Sequence, residues 1–164
     1  MRLKEKDDMI DQAGIMMAKG LGTASERIQG VNDNMSQSHY HEYFEIYYLE
    51  AGERFHMVED QLYHMEQGEF MIFPPYVMHH SYGEKNVPFK RLVLYFTPEE
   101  VLWPSILTEL KEEIGVYQVD IRERQEIHRL MEILLKEQNN PGLHHDEFNQ
   151  GIINVLLLLI LRQK

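Results

Sequence analysis

Six of the nine histidines in this chain lie between residues 31 and 97, in a stretch where carboxylates outnumber Lys and Arg. Their spacing gives them chemical potential. If the strand that carries Glu45 begins as early as His39, then His39, His41 and Glu45 share one face of it, because strand side chains alternate between two sides. His79 follows the Pro74-Pro75 loop on a separate run and converges with them if the strands close into a barrel. Three neutral imidazoles and one carboxylate suit a borderline divalent metal such as Zn, Ni, Fe or Mn, with one or two positions left open. An open position permits either catalysis or the capture of an oxygen-rich ligand. The other reading of the same four residues is a hydrogen-bonded group at a barrel mouth, with no metal.

A second set surrounds the first. Tyr43 and Tyr47 fall on the face of His41 and Glu45, and Tyr95 lies on a later run. They line a pocket or pack in the core. Arg54, His56 and Val58 share one face of Arg54–Glu59. Turned inward, Arg54 and His56 would bind a carboxylate or hydroxyl of a small ligand; turned outward, they would be solvated. The candidate ligand-binding set is therefore His39, His41, Tyr47, Arg54, His56 and Tyr95, and the candidate metal set is His39, His41, Glu45 and His79. His80 is expected on the opposite face from His79. His144-His145 opens the last helix, where capping or solvent is expected.

The elements that must position these residues are short. Tyr43–Glu50, Arg54–Glu59, Leu62–Met65, Glu69–Phe73, His79–Tyr82 and Phe89–Phe96 read as strands, divided by turns at Ala51-Gly52, Asp60-Gln61 and Gln67-Gly68. Six short strands at close spacing predict an antiparallel sandwich or small barrel. Before them, residues 4–19 read as a weak helix or covering arm with a methionine cluster, followed by a Gly-rich loop. After them, Glu99–Ile114 reads as helical despite Pro104, Val116–Ile121 as a possible strand, and Arg122–Gln138 as an amphipathic helix. His145–Arg162 places Phe148, Ile152, Val155, Leu156 and Leu159 on one face, while Ile153, Leu157, Ile160 and Leu161 cover much of the rest. Its apolar circumference serves the domain's own core or a dimer helix pair.

Composition narrows the classes. The chain has 164 residues, 16 Lys+Arg against 27 Asp+Glu, a net charge of −11 and no cysteine. Such a charge argues against nucleic-acid binding by these residues themselves. The absence of cysteine excludes disulfides, thiolate metal sites and thiol catalysis. Residues 1–11 are charged rather than signal-like, and the longest apolar run, Val155–Leu161, is seven residues. That is far short of a bilayer span. The expectation is a cytoplasmic protein with no membrane contact.

The order His39-x-His41-x3-Glu45-x6-Gly52 resembles the first motif of the cupin superfamily, and Gly68-x5-Pro74 followed by His79 resembles most of the second. Within the cupins, His39–Gly52, Gly68–Pro75 with His79, and Phe89–Phe96 are similar to the amino-terminal ligand-binding domain of AraC-type transcription regulators. The resemblance covers residues from about 35 to the end. Where the family motifs carry Gly, Gly and Asn, this chain has Asp33, Tyr76 and Gly83, which suggests a divergent barrel mouth.

The resemblance implies a mainly β chain: an arm (1–34), a cupin double-stranded β-helix barrel (35–97) and a helical dimerisation or linker segment (98–164). It implies a non-enzymatic module that senses a small effector, a sugar or small acid, and forms a homodimer through its carboxy-terminal helices. DNA would be reached only through two helix-turn-helix units outside these residues. The alternative is a stand-alone metal-dependent cupin enzyme of dioxygenase or isomerase type.

Overall fold

A computed structural model describes residues 11–31 and 38–163. Among these described residues, eight strands and four α-helices follow one another. Helix α1 (Gln12–Ala18) precedes strands β1 (Thr23–Val31), β2 (Phe44–Ala51), β3 (Glu53–Val58), β4 (Gln61–Glu66), β5 (Phe70–Phe73), β6 (His79–Tyr82) and β7 (Pro88–Phe96). A 3-10 turn (Pro98–Glu100), α2 (Pro104–Leu110), the short β8 (Val116–Tyr117), α3 (Ile121–Asn139) and α4 (His145–Leu161) complete it.

The strands form two antiparallel sheets, one of five strands in the order β1-β7-β2-β5-β8 and one of three in the order β4-β3-β6. Alternation along β2 explains how they pack. Glu45, Tyr47 and Leu49 point to the inner face, where Tyr47 and Leu49 join Val58, Met65, Met71, Phe73, Phe89, Val93 and Tyr95 from both sheets. Phe44, Ile46 and Tyr48 point the other way, onto Ile127, Met131, Leu134, Ile153, Leu156, Leu157 and Ile160 of α3 and α4. One strand thus supplies both the barrel interior and the floor of the helical layer. Gly52 closes the β2–β3 turn at φ +90°, and a Cβ there would stand 2.4 Å from the Pro88 carbonyl oxygen. Only glycine meets both demands.

The expected strand series forms, mainly β with carboxy-terminal helices, but three expectations need correction. The Gly-rich loop of the arm is instead β1, paired with β7 from Thr23 to Val31. Its sequence has no clean alternation, so the pairing with β7 stabilises it and local propensity does not. Residues 1–10 of the arm, and the Asp33 departure, lie outside the described residues. The helix expected from Glu99 begins only at Pro104, whose missing N–H is harmless at the first helical position. On α4, Ile153, Leu156, Leu157 and Ile160 are buried, while Phe148 and Val155 stay 41% and 48% exposed. Of the two apolar faces, the one formed by Ile153, Leu156, Leu157 and Ile160 is therefore the face that turns inward. Of the possible strand expected over Val116–Ile121, only Val116–Tyr117 pairs among the described residues.

Candidate functional site

His39 sits just before β2 in an isolated bridge, its backbone exchanging two 2.9 Å hydrogen bonds with His79 of β6. This pairing joins the two ends of the histidine set. The ring centroids of His39 and His79 are 4.7 Å apart, and those of His41 and His79 are 5.2 Å apart. The ring nitrogens of His39, His41 and His79 lie within 4.8 Å of one another. Glu45 Oε1, buried beneath them, is 3.1 Å from His41 Nε2 and 3.5 Å from His79 Nε2.

The far side of each ring fixes its chemistry. His41 Nδ1 meets the Tyr43 carbonyl at 2.8 Å, and His79 Nδ1 meets the Val77 carbonyl at 2.9 Å. A carbonyl only accepts, so both Nδ1 atoms carry the proton. A neutral ring then turns the Nε2 lone pair toward Glu45. Burial alone would raise the Glu45 carboxyl, but His41 and His79 beside it outweigh that effect and hold the group well below the usual carboxylate range. Lone pairs facing an anion repel unless a cation lies between them, and that cation is either a proton or a metal ion.

The three imidazoles are grouped as metal ligands are, and Glu45 reaches two of them. Metal–ligand bonds of about 2.1 Å separate neighbouring ligands by roughly 3.0–3.4 Å for right-angle to tetrahedral geometry, close to the two Glu45 contacts. His39 Nδ1 is buried with no hydrogen-bond partner among the described residues. Burial and the neighbouring His79 push the His39 imidazole down to about 4, so it stays neutral and able to ligate.

Deeper in the same interior lie the other candidates. Tyr47, Arg54, His56 and Tyr95 are 2%, 2%, 1% and 7% exposed, so the β3 face that carries Arg54 and His56 turns inward. Arg54 donates to Ser81 Oγ at 3.3 Å and lies 4.1 Å over the Phe89 ring. His56 stands edge-on to Tyr47 at 4.4 Å. Neither of its ring nitrogens has a hydrogen-bond partner among the described residues, and burial pushes it down to about 3. Burial likewise raises Tyr95 well above its ordinary value, and the nearby Glu45 and Asp11 charges reinforce this, so its hydroxyl remains a donor. His80 bonds Ser38 rather than the cluster, and His145 bonds Glu137.

The sequence reading missed two groups. Arg91 shares the inner face of β7 with Tyr95, a placement that strand alternation signals; Asp11 reaches Tyr95 from the arm, with no local signal except its position before a helix. The other group joins barrel to helices. Arg27 of β1 bonds Glu50 at the end of β2 at 2.7 Å and Glu132 of α3 at 2.9 Å, and His128 of α3 bonds Glu50. The Arg27 guanidinium supplies the cation there.

Among the described residues, no helix is long and apolar enough to cross a membrane. The family model of the AraC-like ligand binding domain matches residues 27–161. No curated protein matches the chain in sequence. Among solved structures, the AraC-like transcriptional activator CuxR superposes with a TM-score of 0.51 at 8% identity, over 82% of this chain and 48% of that one. A cupin protein of Bacteroides fragilis gives 0.43 at 15% identity, over 47% of this chain and 67% of that one. An oxalate decarboxylase of Bacillus subtilis gives 0.42 at 16% identity, over 49% of this chain and 22% of that one. The chain therefore spans about half the length of the activator. Since the family match runs from Arg27 in β1 to the end of α4, over both sheets and the helices packed on them, the chain belongs to the family of AraC-like ligand binding domains.

Proposed function

We propose that the chain is the effector-sensing module of an AraC-type transcription regulator, cytoplasmic and without catalytic activity of its own. A small molecule, a sugar or small acid, enters the barrel and is held by residues drawn from His39, His41, Tyr47, Arg54, His56 and Tyr95. A divalent metal held by His39, His41, Glu45 and His79 would supply a Lewis-acidic point for ligand oxygens. Helices α3 and α4 form the dimer, and DNA is bound by a domain outside these residues.

The observation that carries this reading is His56. An imidazole 1% exposed, with both nitrogens unsatisfied by the described residues, is costly in a barrel that is only a core. A ligand that hydrogen-bonds it removes that penalty. For sensing, the ligand must also favour one arrangement of barrel and helices over another. The Arg27–Glu50–His128–Glu132 joint is the ionic connection through which such a preference can reach α3.

The enzyme alternative rests on the same imidazole–carboxylate donor set. Two observations separate the readings: the coding sequence beyond Lys164, and the metal content of protein purified without added metal. A downstream helix-turn-helix domain supports the regulator. Stoichiometric Fe or Mn in a chain whose gene stops at Lys164 contradicts it.

A further inference from the structure

A carboxylate of the chain itself already stands on the inner face of β7. Asp11 Oδ2 accepts from the Tyr95 hydroxyl at 2.8 Å and lies 3.5 Å from Arg91 Nη2. Its other oxygen caps α1 by accepting from the Gly14 N–H at 2.7 Å. The Arg91 guanidinium lies 5.4 Å over the Tyr47 ring, whose buried hydroxyl has no well-formed hydrogen bond among the described residues. His56, with both nitrogens in the same condition, packs edge-on to that ring. The interior therefore presents a dyad that selects carboxylate, a second guanidinium at Arg54, and two groups that each offer a donor and an acceptor. A phenol or an imidazole of that kind is matched by a hydroxyl, and a purely apolar ligand leaves both unsatisfied.

We infer that the barrel ligand is a small hydroxycarboxylate whose carboxylate replaces Asp11 on Arg91 and Tyr95 while its hydroxyls meet His56 and Tyr47. This rests on the reading of the barrel interior as a ligand site, and it assigns that ligand a chemical class. It also makes binding an exchange. Asp11 competes with the ligand, so the apparent affinity is reduced by the fraction of molecules in which Asp11 has let go.

The test is calorimetric titration of the purified chain with lactate, malate, tartrate and gluconate. Each acid is run beside its amide, and the neutral sugars arabinose and glucose form a third arm. At least one acid is expected to bind, with its amide weaker by about tenfold or more, the scale of a lost charge-assisted contact. Asp11→Asn, which keeps a capping oxygen on α1, is expected to tighten the acid by roughly threefold or more. Tyr95→Phe, which keeps the ring and its packing, is expected to weaken it by about tenfold. Equal binding of acid and amide, or an affinity unmoved by Asp11→Asn, overturns the inference. Binding of a neutral sugar alone overturns the carboxylate class and leaves the ligand-site reading standing. If no acid and no sugar binds, both fall.

Discussion

Two imidazoles of the cluster, His41 and His79, are set by the nitrogen that faces away from Glu45. With Nδ1–H committed to the Tyr43 and Val77 carbonyls, His41 and His79 cannot both be neutral beside an ionised Glu45 without a shared cation. Replacing Glu45 by Gln removes the anion and keeps the volume. Metal content after dialysis against equimolar Zn or Mn is then expected to fall at least about tenfold, the scale of an altered ligand or its close support; unchanged content contradicts the metal reading. At the joint, burial alone would raise Glu50, but the hydrogen bonds from Arg27 and His128 bring it down to about 2 from the ordinary 4.5. A depressed carboxyl contributes its full stabilisation above about pH 4.5 and loses it as pH falls toward 2. Urea unfolding of wild type and Glu50→Gln is expected to differ by on the order of 2–3 kcal/mol at pH 6 and by clearly less at pH 3. A gap independent of pH contradicts the pairing.

At the scale of elements, β2 and its turn hold the site in register. Gly52 sits at φ +90° against the Pro88 carbonyl, so Gly52→Ala is expected to destabilise the fold by on the order of 2–4 kcal/mol in chemical denaturation. A change under about 1 kcal/mol would show that the turn can relax. Most of this layout is legible in the sequence, because β2 to β7 carry alternating side chains and turn glycines that act locally. The convergence of His39, His41, Glu45 and His79 is legible only in part, since β2 begins at Phe44 and it is the backbone bridge between His39 and His79, not period-two alternation, that brings the preceding histidines to the cluster. What could not be read depends on contacts between distant segments. β1 is a polar stretch whose strand state comes from β7 on one side, while Gln138 of α3 bonds the Ser25 N–H at 2.7 Å and its carbonyl at 2.9 Å on the free edge. The rotation of α4 is set by what it covers. Asn154 bonds the backbone of Glu100 and Leu102 and fixes which apolar face turns inward.

For the whole molecule, the net charge of −11 is not shared by the barrel interior, where Arg54 and Arg91 balance Glu45 and Asp11 beside the imidazoles. The outward face of α4 with Phe148 and Val155 leaves apolar area uncovered in one copy, and the dimer reading places a second copy there. Sedimentation of the wild type at micromolar concentration is expected to show a dimer, and Val155→Glu a monomer with unchanged folding; a monomeric wild type contradicts that reading. The barrel interior is read as the binding site of a small molecule, and thermal unfolding across a panel of hydroxy acids and sugars measures such binding. A ligand specific for the folded state raises stability by about 2.7 kcal/mol at a hundredfold excess over Kd. Such a shift is expected in the wild type and is expected to be lost in His56→Leu; a shift that survives His56→Leu, or none across the panel, rules out binding at this site.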